Sequence, residues 1–181
     1  MKDVRTVRTL TRVAILIGLS AAGACIKVPA LTGTPALDSA PGYFAALALG
    51  ATEGAMVAAA GHLLTALTAG FPLSVPIHLL IAGGMAGCAW AVAICRARKG
   101  PWWAFAVGVF LNGMVFPAAF VPIPGFGPAF FTVMLVPLLV ASALNLGLAV
   151  VVYEAAVRAR LGWAVPGPAE ATRAGREGRT S

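Results

Sequence analysis

From Pro101 to Tyr153 the sequence contains no Asp, Glu, Lys or Arg, and the runs that precede this stretch are nearly as apolar. An uncharged segment of that length must cross a bilayer more than once. The breaks between runs predict six helices. The first is expected over Thr9–Val28, with Arg12 and Lys27 able to reach opposite interfaces from an apolar centre. After a loop carrying Gly33 and Pro35, two compact helices are expected over Ser39–Ala51 and Glu53–Ala69, divided by the Gly50–Gly54 stretch. Gly70, Pro72 and Pro76 make the next turn, and a fourth helix follows over Pro76–Arg96, with proline tolerated in its first turn. Pro101 opens a fifth, which ends at Pro117. Pro122, Pro124, Gly125, Gly127 and Pro128 cannot hold regular helix. The sixth is expected from Ala129 through Pro137, a candidate kink, to Arg160.

Composition agrees with a lipid environment. Sixty per cent of the 181 residues are hydrophobic, 10% are charged, and the mean hydropathy of +0.90 exceeds what a soluble domain of this size can bury. The run Val13–Ile26 lacks a convincing cleavage site and is followed by further spans, so it is expected to stay as a helix. The fold class is therefore an all-α membrane protein, a six-helix transmembrane bundle over residues 1–163, with a disordered tail over 164–181.

Charge then orients the bundle. The net charge of +7 is carried by residues that flank apolar runs and do not form one face, which argues against nucleic acid as a partner. Lys2, Arg5, Arg8 and Arg12 precede the first helix; Arg96, Arg98 and Lys99 follow the fourth; Arg158, Arg160 and the tail arginines follow the sixth. If all three clusters are cytoplasmic, the crossings between them must be even in number, which six spans satisfy. The amino and carboxyl termini are then both cytoplasmic. A re-entrant pair in place of the second and third helices would preserve the same parity.

Within this topology the polar residues gather at one end. Lys27, Thr32, Thr34, Asp38 and Ser39 fall in or beside the first external loop, and Ser74 and His78 at the second external turn. His62 and Thr65 share a face of the third helix, His62 about 14 Å from its inner end by helical rise. Asn112 lies at comparable depth on the fifth. Buried ionisable and amide side chains are costly in lipid unless paired or facing a cavity, so their convergence suggests a pocket opening outward. Tyr43, Phe71, Phe116, Phe120, Phe126, Phe130 and Phe131 fall at the same level, either as an interfacial belt or as rings for stacking a flat ligand. His62 and Asn112 are each candidates for interhelical hydrogen bonding or for ligand contact. Asp38 has three readings: a cap on the second helix, a ligand contact, or a partner of Lys27.

Small residues recur every four positions at Ala14, Gly18 and Ala22 and again at Gly83 and Gly87, marking faces where helices can approach closely. The first ladder is a candidate for docking another protein. Cys25, Cys88 and Cys95 lack metal-ligand spacing and read as small packing residues. Phosphate-loop, HExxH, GxSxG and paired acidic motifs are missing, so neither an intrinsic enzyme nor a metal or cofactor site is expected.

The length, the basic ends, the small-residue first helix and the loop over an outer pocket together resemble the substrate-binding S component of energy-coupling factor (ECF) vitamin transporters, over about residues 5–160. Within that family, Ala36–Gly50 and Gly61–Ala82, with Asp38, His62, Thr65, Ser74 and His78, resemble the branch assigned to alpha-ribazole, the nucleoside of the cobalamin lower ligand. The resemblance implies a multi-pass protein of the cytoplasmic membrane that captures a vitamin or nucleoside precursor. It further implies docking on a transmembrane coupling protein and two ATPase subunits, which hydrolyse the ATP. Asp38, His62, Thr65, His78 and Asn112 would then bind polar groups of the cargo, Tyr43, Phe116 and Phe130 would hold its ring, and Ala14, Gly18 and Ala22 would meet the coupling protein. Few Trp or Tyr residues are placed for stacking, unlike better-known vitamin binders. Riboflavin or pantothenate as cargo, and a structural subunit of a membrane assembly, are the alternatives. A membrane enzyme using His62 and Glu53 ranks last, because helical rise sets them about 14 Å apart.

Overall fold

A computed structural model of the protein describes residues 2–26 and 36–162. These residues form six helices: α1 Lys2–Gly23, α2 Ala40–Ala48, α3 Ala51–Thr68, α4 Val75–Lys99, α5 Pro101–Ala118 and α6 Gly127–Arg158. Lys27, Thr32, Thr34 and the tail expected from residue 164 lie outside the described residues. Helix α1 starts seven residues earlier than its apolar run does, at Lys2 instead of Thr9, because Lys and Arg are good helix formers and extend the helix past the hydrophobic segment.

Helices α4, α5 and α6 are each long and apolar enough to cross a membrane. Helix α2 is not: its nine residues rise only about 14 Å, against a hydrocarbon core of roughly 30 Å. Pro41 sits in its first turn, and Gly50, at φ 134°, ends the short link to α3 in a conformation that other residues rarely adopt. Helix α2 is instead the centre of the packing. Gly42 abuts Ala58 and Gly54 abuts the backbone of Ala46, so α2 and α3 lie at a spacing that leaves no room for a side chain at either glycine. Tyr43, Leu47, Met85, Val92, Leu146, Val150 and Tyr153 complete a core shared by α2, α4 and α6. The opposite face of α6, with Val133, Val136, Val140, Leu144, Leu148 and Val151, is exposed, as expected where the surrounding solvent is lipid.

Two expectations from small residues need correction. Gly83 and Gly87 do not mark an internal packing face: both are exposed, with open space where a Cβ would stand. Their neighbour Gly84 is the one that packs, directly beneath the Phe116 ring. Cys25 is likewise exposed, whereas Cys88 is buried as a packing residue should be. Ala14, Gly18 and Ala22 are all exposed on α1, which packs through Val13, Leu16 and Ser20.

Candidate functional site

A cavity of about 380 Å³ opens between α3, α4, α5 and α6 and the segment preceding α2. Its lining comes from the carboxyl-terminal parts of α3 and α5 and the amino-terminal parts of α4 and α6. Chain direction therefore puts it at the end of the bundle opposite Arg96, Arg98, Lys99 and Arg158. Its volume falls within the range of about 300–1,000 Å³ usual for small-molecule sites.

Seven of the eight residues expected at a binding site line this cavity: Asp38, His62, Thr65, His78, Asn112, Phe116 and Phe130. On α3, positions 62 and 65 lie nearly one turn apart and face it together. On α4, His78 follows a turn in which Phe71 and Ser74 have positive φ angles of 51° and 79°. That turn brings the Leu73 N–H to donate to His78 Nε2 at 3.4 Å, while His78 Nδ1 lies 3.1 Å from His62 Nε2. An acceptor Nε2 places the proton of a neutral His78 on Nδ1, so His78 donates to His62 and leaves the His62 proton on its own Nδ1. Phe71 packs edge-on against His78, with ring centroids 5.7 Å apart.

Helix α5 reaches the cavity through a π-helical turn, Leu111–Val115. Pro117 has no N–H and its ring crowds the carbonyl four residues back; the wider turn relieves this, and the Phe116 N–H donates to Leu111, five residues back. The result is that Asn112 and Phe116 both face the cavity. Asn112 Nδ2 donates to Ser142 Oγ on α6 at 2.8 Å. Phe116, Phe120, Phe126 and Phe130 form a chain of edge and tilted contacts with centroids 4.8–5.9 Å apart, and three of these rings line the cavity.

Asp38 does not cap α2. Its carboxylate accepts from the Ser39 hydroxyl at 3.2 Å, and burial holds its pKa above the ordinary carboxylate value despite that bond. Thr65 Oγ1 stands near this carboxylate and makes no hydrogen bond among the described residues. Tyr43 is placed elsewhere. It is fully buried in the core and does not line the cavity; its hydroxyl has no hydrogen-bond partner among the described residues and lies toward Asp38 and Cys88.

The family model for the substrate-specific component of the ECF transporter matches residues 8–157. The chain belongs to that family. Neither a curated protein nor a solved structure matches the sequence. The ECF family assignment makes the protein a substrate-binding, non-catalytic subunit of a membrane transporter that works with coupling and ATPase subunits, and a multi-pass protein of the cytoplasmic membrane.

Two polar lining residues of this ECF component were not among those expected from sequence: Ser142 and Asn145, which are 1% and 2% exposed. The signal for them exists. Buried amides are costly in lipid, the rule that singled out Asn112, and Asn145 stands in the longest apolar run of the chain. A second concavity, about 520 Å³, lies between α1 and α6 beside α2; Leu16, Leu19, Phe44, Leu148 and Val152 are among its apolar walls.

Proposed function

We propose that this S component captures alpha-ribazole in the cavity described above, which opens to the outside of the cell, and delivers it to the coupling and ATPase subunits. One observation carries the reading: the cavity combines hydrogen-bonding side chains with phenylalanine rings and, among the described residues, is lined by no Lys or Arg. A single carboxylate beside neutral imidazole, amide and hydroxyl groups suits an uncharged nucleoside better than a solute carrying a carboxylate or phosphate, which weakens the case for pantothenate. In this reading the sugar hydroxyls meet Asp38, the Nδ1–H of His62 and Asn112, with His78 holding His62 in that tautomer and Thr65 beside Asp38. The flat bicycle lies against Phe116 and Phe130. Tyr43 supports Asp38 from behind.

The orientation follows from charge. The cavity lies opposite the basic end of the bundle, and the positive-inside rule puts that end, with both termini, in the cytoplasm. The exposed Ala14, Gly18 and Ala22 face serves as the docking surface for the coupling protein.

Calorimetry on the purified protein with alpha-ribazole, riboflavin and pantothenate tests the cargo. Alpha-ribazole is expected to bind most tightly and pantothenate not measurably. Tighter binding of pantothenate than of alpha-ribazole, or binding of none of the three, would overturn the assignment.

A further inference from the structure

Residues 36–40 supply Ala36, Asp38 and Ser39 to the cavity and lead directly into α2. The first N–H groups of a helix have no partner within it and must find one elsewhere. Neither Asp38 nor Ser39 provides a side-chain cap here. The partner comes from α6, more than a hundred residues away in sequence. Asn145 Oδ1 accepts from the N–H groups of Ser39 and Ala40 at 3.1 and 2.8 Å. Asn145 Nδ2 donates to the carbonyls of Ala36 and Ala141, both at 2.9 Å. A primary amide offers two donor hydrogens and two acceptor lone pairs, so all of its capacity is used.

Three of these four bonds end on residues 36–40. The segment is gripped on its other side by the end of α1 and the turn after it: the Leu37 N–H donates to the Ile26 carbonyl at 3.1 Å, and Gly23 leaves no space for a Cβ against the Leu37 carbonyl. One turn back along α6, Ser142 accepts from Asn112, so the same face of α6 ties the α2 entry to the π-turn of α5.

We infer that Asn145 is the positioning residue of the ligand site: its amide holds residues 36–40 so that Asp38 and Ser39 present their polar groups to the cavity, while the amide itself has no capacity left for the cargo. The role in binding rests on the cargo reading above; the mechanical role does not. Asn145→Leu keeps the volume and leaves two N–H groups and a carbonyl buried without partners, a cost that local opening of residues 36–40 relieves.

The test combines amide hydrogen exchange with alpha-ribazole calorimetry on the full chain, for wild type, Asn145→Leu, Asp38→Ala and the double variant. The expected result is exchange at Ser39 and Ala40 faster by about tenfold in Asn145→Leu, with the α4 amides unchanged, and affinity lower by about tenfold. In the Asp38→Ala background, Asn145→Leu should cost little further affinity, because the group it positions is gone. Unchanged exchange at Ser39 and Ala40 would overturn the inference whatever the ligand data. So would faster exchange with unaltered affinity, or an affinity loss of equal size with and without Asp38, since either marks a purely structural residue. If wild type binds none of the three solutes, the cargo assignment falls and the exchange comparison alone decides the holding role. Asn145→Ala serves for the same comparison if Asn145→Leu does not fold.

Discussion

Two concavities among the described residues differ sharply in character, and the larger of the two is the less informative. The groove between α1 and α6 encloses about 520 Å³ against about 380 Å³ for the cavity between α3, α4, α5 and α6, and its walls are almost entirely aliphatic and aromatic carbon. In water an open apolar groove of that size would demand an explanation; in lipid it costs little, because acyl chains fill it as readily as side chains would. The smaller cavity is the reverse case. Asp38, His62, His78, Asn112, Ser142 and Asn145 cannot face hydrocarbon without penalty, so their presence in one place requires either mutual hydrogen bonding or a polar occupant. Asn145 is satisfied by backbone groups, and Ser142 accepts from Asn112. Among the described residues, Asp38, Thr65, the Nδ1–H of His62 and the rest of the Asn112 amide retain unused capacity, and that remainder is what a polar occupant would meet.

The largest effect should follow from removing that remainder. Replacing His62 and His78 together by Leu is expected to weaken alpha-ribazole binding by about tenfold, from the loss of the one hydrogen bond of roughly 1.4 kcal/mol that the His62 Nδ1–H has left to give. Leu19→Ala and Leu148→Ala in the groove should stay within about twofold of wild type. Isothermal titration of the variants measures both; equal losses in the two sets would erase the distinction between the concavities.

Adjacent glycines on α4 sharpen it further. A Cβ at Gly84 strikes the Phe116 ring, while one at Gly83 meets open space. Gly84→Ala should therefore push the ring into the cavity and reduce affinity by about tenfold, whereas Gly83→Ala should leave it unchanged. A fluorescence or calorimetric titration in which the two variants behave alike would show that Phe116 does not shape the occupied site.

Asp38 adds a dependence on pH. Because burial raises its pKa in the folded protein, the unfolded chain releases this proton first as pH rises, and folded stability falls between the ordinary carboxylate value and the raised one. Asp38→Asn removes that penalty. Its Tm should exceed wild type at neutral pH, by about 2–4 °C for each kcal/mol recovered, and the gain should disappear in acid below the ordinary carboxylate range. Affinity should fall only about threefold, since the amide keeps one acceptor oxygen. Thermal unfolding across pH in detergent reads the sign directly.

Much of this was legible in the sequence, and the failures share a cause. Helix positions follow from proline, glycine and apolar runs, and His62, Thr65, His78 and Asn112, which line the cavity, stand out in the sequence because each polar residue in an apolar run has few reasons to be there. Residues whose role depends on a partner distant in sequence do not. A cap on α2 is one of the three sequence readings of its near neighbour Asp38, whereas the acceptor is Asn145 on α6. Tyr43 was assigned to the cavity by its level along the helix, but the rotation of α2 against α3, set by Gly42 and Gly54, turns it into the core. The Gly83 and Gly87 ladder marks a close-approach face but lies outside the bundle, because spacing alone does not say which face a bundle covers.

That last point yields the smallest expected change in the isolated protein. Two small-residue ladders are exposed, Ala14, Gly18 and Ala22 on α1 and Gly83 and Gly87 on α4, and both have the open space a partner helix needs. They differ in surroundings: Ala22 lies on the wall of the apolar groove beside α6, whereas Gly84, next to the second ladder, supports Phe116 at the cavity. A coupling helix on α1 would gain the groove as additional contact area; one on α4 would press on the ligand site. Gly18→Leu should consequently leave ligand affinity and Tm within error of wild type while abolishing co-purification with the coupling protein, because a Leu side chain keeps the helix backbones from meeting. Gly87→Leu should preserve co-purification. The opposite pattern would move the docking face to α4, and its pressure on Gly84 would then give a partner direct mechanical access to the bound solute.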